Sequence, residues 1–260
     1  MESEVRRIEQ KYSRYRDASV LSQINASAGG RPVEIDNETQ WLLDYALVGF
    51  EQSDGLFDIT SGVLRQVWDF KAGLLPSAAQ LEPVRRKIGF DRITVSNHGI
   101  TLPEGMEIDF GGIGKEYAAD AAAGLARRGG ITSGIIDLGG DLHILGPKAD
   151  GSPWMLGVRN PRAPEEAIAS LPVYQGGMAS SGDYERYFEH SGERYCHILN
   201  PRTGYPASCW ASVTVLAPSC LLAGTLSTIA MLKEAEGECW LQEQEISALL
   251  IRPDLKLVSF

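Results

Sequence analysis

The sequence predicts an α+β fold with largely antiparallel sheets and flanking helices. Strand-like runs come in pairs joined by turn residues, single helical segments fall between them, and the regular strand-helix-strand alternation of a parallel sheet is missing. No linker rich in Pro, Gly or Ser separates two compositional blocks and no short-period repeat is visible, so residues 1–260 are expected to form one domain.

Taken in order, Val5, Ile8 and Tyr12 recur at helical spacing with charges between them, which predicts an amphipathic helix running into Ser13-Arg-Tyr-Arg-Asp17. Asp36 is a good N-cap for a second helix that ends before Gly55, with Trp41, Tyr45 and Val48 lining one face. Asp58 is placed to cap a short helix around Gly62 to Trp68, and Ser77 opens another that tolerates Pro83 only near a boundary or kink. Arg92-Ile-Thr-Val-Ser96, Asn97-His-Gly99 and Ile100-Thr-Leu102 read as a hairpin, as do the strands around Ile135 and Met155. Glu107-Ile-Asp109 reads as a strand end, followed by a glycine turn and an alanine-rich helix from Lys115 to Arg128. Pro161-Arg-Ala-Pro-Glu-Glu166 reads as a loop between two strands.

Apolar residues at 43% and charged residues at 22% are ordinary for a globular chain, while a net charge of −10 argues against a nucleic-acid or anionic-membrane partner. An anionic ligand would have to be held by local cations and backbone N–H groups. Cys196, Cys209, Cys220 and Cys239 form no C-x-x-C pair, so neither a structural zinc nor a redox dithiol is expected, and free thiols are the default. No run of about 18 apolar residues that would span a membrane is present, nor is a signal peptide. A cytoplasmic location is the expectation for the sequence as it stands.

Three segments set small residues beside an ionisable side chain: Asp109-Phe-Gly-Gly-Ile-Gly-Lys-Glu-Tyr-Ala-Ala-Asp120, Ser180-Ser-Gly-Asp-Tyr184 and His197-Ile-Leu-Asn-Pro-Arg-Thr-Gly204. A glycine turn at a helix start offers free N–H groups to a phosphate. Lys115 in the first turn opposes the helix dipole, which makes more sense with an anion nearby. The plainer alternative is that Gly111, Gly112 and Gly114 only satisfy positive φ. Asp120 lies five residues beyond Lys115, about 140° around a helix, so the two only partly share a face.

The order of these segments resembles the ApbE family, the FAD:protein FMN transferases, from about Lys11 to the C-terminus. Besides the three above, the matching pieces are Tyr12-Ser-Arg-Tyr15 with Ser19 and Asn25, Gly55-Leu-Phe-Asp-Ile-Thr60 followed by Trp68, Leu138-Gly-Gly-Asp141, and Ser212-Val-Thr-Val-Leu-Ala-Pro218 leading into a helix with Ser227-Thr228. The resemblance implies an ApbE-like fold related to the T-fold. The reaction it implies splits the FAD pyrophosphate and attaches FMN to a threonine or serine of an acceptor protein, such as a redox-complex subunit, with release of AMP. It implies FAD as substrate and Mg²⁺ as metal. Family members are often exported and tethered, so an export segment and first strand lying upstream would place the protein in the periplasm or at a membrane.

By the same resemblance, Tyr15, Leu56, Phe57, Asp58, Asp109, Lys115, Asp120, Ser181 and Leu199 fall at flavin-nucleotide positions, and His197 is the candidate base. Read without the family, Phe57 is core and Asp58 a helix cap, Asp120 a solvated helix charge, and His197 a strand histidine between Tyr195 and Ile198 pointing into a core. His98, His143 and His190 receive no role. Arg202 either ligates phosphate or orders its loop, and the residues leave both open. The metal would be held by the Gly112 carbonyl, Ser227 and Thr228.

Gly224 stands where the family places a metal-binding aspartate one turn before Thr228, Glu116 where it usually has glycine, and Asn200 where it more often has aspartate. Three readings follow: an FMN transferase, a non-catalytic FAD-binding protein with a degraded metal site, or an FAD pyrophosphatase. The transferase is preferred because most of the site survives. On propensity alone, Gly224→Asp is expected to stabilise its helix by a few tenths of a kcal/mol.

Overall fold

A computed structural model describes residues 1–260. The helices are α1 (Glu2–Tyr12), α2 (Val20–Ala26), α3 (Asn37–Gln52), α4 (Ala78–Arg85), α5 (Gly114–Arg128), α6 (Cys220–Leu232) and α7 (Gly237–Glu243), with a 3₁₀ segment at Ile59–Gln66. The strands are β1 (Thr94–Ser96), β2 (Gly99–Thr101), β3 (Gly134–Leu138), β4 (Asp141–Gly146), β5 (Trp154–Asn160), β6 (Ala163–Val173), β7 (Gly176–Gly182), β8 (Tyr187–His190), β9 (Glu193–Cys196), β10 (Ser212–Ala217), β11 (Ala248–Ile251) and β12 (Leu257–Ser259).

The central sheet has six strands in the order β12-β11-β10-β7-β4-β3, and every neighbouring pair is antiparallel. β1-β2, β5-β6 and β8-β9 form separate hairpins. Strand alternation divides the sheet's side chains between two layers. Ala179, Val213, Val215 and Leu250 join Ala223, Leu226, Ala230 and Met231 of α6 in one cluster, while Met178, Leu249 and Ile251 join Leu156, Val158 and Val173 of the β5-β6 hairpin in another. Helices therefore cover one face and a hairpin the other. A third cluster ties α1, α2 and α3 to α5 and α6 through Ile8, Leu21, Leu42, Leu43, Phe110, Ala118 and Ile229. No helix is long and apolar enough to cross a membrane.

Local chemistry explains most of these elements. The Asp36 side chain accepts from Thr39 N at the start of α3, and Ser77 with Gln80 forms a reciprocal capping box at α4. α4 tolerates Pro83 in its second half. In α5 the small residues Ala118, Ala119, Ala122, Ala123 and Ala126 are buried, which lets the helix lie close on its neighbours. Gly177 permits the same approach between β7 and α6: a Cβ there would stand 2.2 Å from Cys220 N.

The face of α3 that enters the core is Leu42, Leu43, Ala46 and Gly49, while Trp41 and Val48 are exposed. Trp41 stacks outside the core on Tyr45 and Tyr117, at centroid distances of 5.7 Å each. Three local expectations are corrected. Glu107-Ile-Asp109 is an extended connection outside any strand, tied down by Asp109 N donating to Ile59 O at 2.8 Å. The loop after β5 is only Pro161-Arg162, because Ala163 already belongs to β6. Gly111, Gly112 and Gly114 do not have positive φ, so conformational freedom does not account for them.

Candidate active site

Three carboxylates and three cations meet around the N-terminal ends of α5 and β4. The two-residue turn Gly139-Gly140, both at positive φ, closes the β3-β4 hairpin and delivers Asp141 to the first position of β4. Asp141 is buried, and its Oδ2 accepts from Lys115 Nζ at 2.6 Å. The Lys115 cation thus has a protein partner in addition to any anion, and Asp141 is the first charge that holds it. The two side chains are 45% and 6% exposed respectively, so Lys115 keeps donor surface in reach of solvent.

The start of α5 has no side-chain cap; its N-cap residue is Ile113. The preceding glycines lie in close surroundings: a Cβ on Gly112 would stand 3.4 Å from the Phe57 ring, and one on Gly111 3.2 Å from Asp109 Oδ1. The missing side chains leave the turn's backbone open where a phosphate would approach. Asp109 holds this turn with Oδ1, which accepts from Gly111 N at 2.9 Å, and its Oδ2 pairs with the Arg14 guanidinium. Arg14 also donates to Tyr15 OH at 2.8 Å and lies 4.9 Å over its ring. That hydrogen bond lowers the Tyr15 phenol from its ordinary range, with a smaller effect of Arg186. Tyr15 itself is 74% exposed, an aromatic face free to meet a ring.

His197 follows directly after β9, and its backbone N donates to Arg186 O at 3.0 Å. It is not a core histidine, since the residue as a whole is exposed. The surrounding protein nevertheless desolvates the ring, and with the charge of Arg186, and lesser effects of Lys115 and Arg14, pulls its pKa down to about 4. The imidazole is therefore neutral at pH 7. Arg186, Lys115 and Arg14 all act on this one histidine, although Lys115 and Arg14 are each paired with an aspartate.

Ser181, Ser227 and Thr228 come together: Ser181 Oγ lies 2.9 Å from Ser227 Oγ and 3.0 Å from Thr228 Oγ1, joining β7 to α6. The following Asp183 is fixed by a two-pronged pair with Arg162 at 2.7 and 2.8 Å. Leu199 pairs with Pro206 across the turn that carries Asn200, and Arg202 donates to the Asp54 carbonyl, a loop-ordering bond. Leu56 and Phe57 are buried in the core. Asp58 caps the 3₁₀ segment, its Oδ1 accepting from Thr60 N at 2.7 Å and its Oδ2 from Phe90 N at 3.2 Å, while burial raises its pKa. A surface cleft of about 310 Å³ beside Arg85, Arg86 and Arg202 shares only Asp58 with this set.

Asp120 is not the solvated helix charge of the plainer reading: its two oxygens accept from Cys220 N and Leu221 N, each at 2.9 Å, at the start of α6, and Oδ1 lies 2.5 Å from His143 Nδ1. Its contacts are those of an anion at a helix N-terminus. His143, given no role from the sequence, is its buried partner.

Sequence reasoning passed over Arg14, Arg186, Asp141 and the setting of Glu116. Glu116 is 6% exposed, points toward α6, and its Oε2 has no hydrogen-bond partner. Burial, and then the neighbouring Asp141, raise its pKa. Arg14 and Asp141 stand inside segments already singled out, so a demand for charge balance around Asp109 and Lys115 would have found them. Arg186, two residues past Tyr184, carried no signal of its own.

Comparison with known proteins agrees with this arrangement. The ApbE family model matches residues 1–250. An FAD:protein FMN transferase of Vibrio cholerae is 28% identical over 94% of this chain and 75% of its own length, and one of Treponema pallidum is 31% identical over 93% and 73%. The crystal structure of the ApbE protein of Thermotoga maritima superposes with a TM-score of 0.90 at 32% identity, covering 99% of this chain and 86% of that one. The flavin transferase ApbE from Vibrio cholerae gives 0.86 at 26% identity, covering 100% and 87%. With the family model matching nearly the whole length and the fold superposing closely on solved members, the chain belongs to the ApbE family.

Proposed function

We propose that this protein is an FAD:protein FMN transferase, and the observation that carries the reading is the neutral His197 beside Arg14, Lys115 and Arg186. The uncapped start of α5 and the three cations suit the FAD pyrophosphate, and the exposed Tyr15 ring suits the isoalloxazine. An acceptor Thr or Ser hydroxyl oxygen attacks the phosphorus that bears the riboflavin. His197 takes the hydroxyl proton, the bond to the AMP phosphate breaks, and AMP leaves as its own anion, so the products are a flavinylated hydroxyl and AMP. Arg14, Lys115 and Arg186 are placed to offset the charge that collects on the phosphoryl oxygens.

A divalent cation such as Mg²⁺ would add Lewis-acid polarisation of the pyrophosphate when bound. The residues present fit one: the Gly112 carbonyl and the Ser227 and Thr228 hydroxyls offer neutral oxygens, and the orphaned Glu116 Oε2 offers a charged one.

AMP release from FAD, measured with and without Mg²⁺ and with and without a peptide carrying an acceptor threonine, tests the reading. AMP that depends on the peptide, with flavin retained on it, is expected. Equal AMP release without peptide would make the protein a pyrophosphatase, and FAD binding with no AMP a carrier. His197 adds a pH signature: because its pKa is depressed to about 4, the base form persists down to mildly acidic pH, and kcat/KM falls only as pH drops through that value. Arg186→Ala should move this acid limb upward, since the cation that disfavours imidazolium is gone.

A further inference from the structure

Two departures from the family pattern lie far apart in sequence, a carboxylate missing at position 224 on α6 and one gained at position 116 on α5. The fold sets them against each other. A Cβ built on Gly224 would lie 2.7 Å from Glu116 Cγ, 3.2 Å from Cδ and 3.3 Å from Oε1. The Glu116 side chain thus fills the volume that a side chain at 224 would need. It brings a carboxylate to the same face of α6 that carries Thr228 one turn on.

Glu116 is 6% exposed and its Oε2 is unpartnered; Asp141, 4% exposed, is its carboxylate neighbour and has one oxygen bound by Lys115. Lys115 pairs with Asp141, which leaves Glu116 without a cation of its own, and burial disfavours its charged form. A hard cation supplies the missing compensation, because it takes oxygen ligands and binds through one or two carboxylates plus phosphate and water.

Resting on the transferase reading above, we propose that Glu116 holds the divalent cation in this protein, the cation-binding carboxylate having moved from α6 to α5. Gly224 is then the complement of Glu116, since any larger residue would displace its side chain. The ground for a degraded, non-catalytic site falls away, because the carboxylate that position 224 lacks stands beside it.

The test uses Mn²⁺ as the probe, with free ion counted by electron paramagnetic resonance, on the whole chain alone and with ADP as a pyrophosphate-bearing ligand. Wild type should bind Mn²⁺. Glu116→Gln, which keeps the shape and removes the charge, should weaken binding by about tenfold or more, the usual effect of losing a ligand or its support. The exchange variant Glu116→Gly/Gly224→Asp should recover most of that loss, with circular dichroism confirming both folds. Binding that is absent in wild type, unchanged in Glu116→Gln, or not recovered by the exchange would overturn the proposal. FAD affinity, followed by flavin fluorescence, separates the two readings: loss of FAD binding in wild type sinks the transferase, whereas FAD binding with Mn²⁺ affinity independent of Glu116 sinks only the relocated ligand.

Discussion

Glu116 and Asp120 sit one turn apart on α5 and both face α6, yet they live in opposite circumstances. Asp120 meets the amide end of α6 and has two backbone donors and a histidine. Glu116 meets α6 one turn further along, where helix amides are already bonded internally and offer it nothing, and it keeps an unpartnered oxygen. The position along a partner helix therefore decides whether a buried carboxylate is satisfied by the fold or waits for something else. One carboxylate holds the structure together and the other is available for chemistry.

The comparison breaks most visibly at Asp120. Asp120→Ala strands the Cys220 and Leu221 N–H groups and the buried His143, and should cost about 3 kcal/mol of stability in urea denaturation. A loss below about 1 kcal/mol, the size of an ordinary surface change, would mean that these bonds are not structural.

Gly224→Asp comes next. The sequence alone predicts a slight gain from helix propensity, but the structure reverses the sign, because the new Cβ collides with a Glu116 side chain that burial prevents from swinging out. A loss of about 1–3 kcal/mol is expected from overpacking, read as a lowered Tm. Combining it with Glu116→Gly should relieve most of that loss, and a purely additive double mutant would show that the two positions do not touch.

The smallest effect sharpens the contrast by its direction. Glu116→Gln in cation-free buffer should leave stability unchanged or raise it by about 1 kcal/mol, since burial already disfavours the charged carboxylate and the amide is its neutral isostere. A clear destabilisation would mean that Glu116, like Asp120, is a structural anion.

Helix α5 and the start of α3 were legible because their signals are local: alanines at helical spacing after a glycine turn, and Asp36 before an apolar stripe. α3 was legible as a helix with its cap, but it carries two apolar stripes: the stacked Trp41 and Tyr45 lie outside the core, Leu42, Leu43 and Ala46 enter it, and spacing alone does not choose between them. His197, Lys115, Ser181 and Thr228 were singled out through family order, and the fold joins Lys115 to Asp141 and Ser181 to Thr228. Charge pairing was not readable. Whether Asp120 meets Lys115 or the end of α6, and whether Glu116 fills a space at Gly224, depends on how two helices about 100 residues apart in sequence are docked.

Helix α6 has 11 of its 13 residues buried, so it presents no solvated side from which to fray or shift. Its amides should exchange with solvent only when the whole protein opens, on the slowest timescale the molecule has. Ser227, Thr228 and Gly224 thus form a stationary wall, while Tyr15 and the turn bearing Arg202 stand on the exposed side. Any closing of the protein around a bound nucleotide has to come from that outer side, moving toward a surface that does not yield.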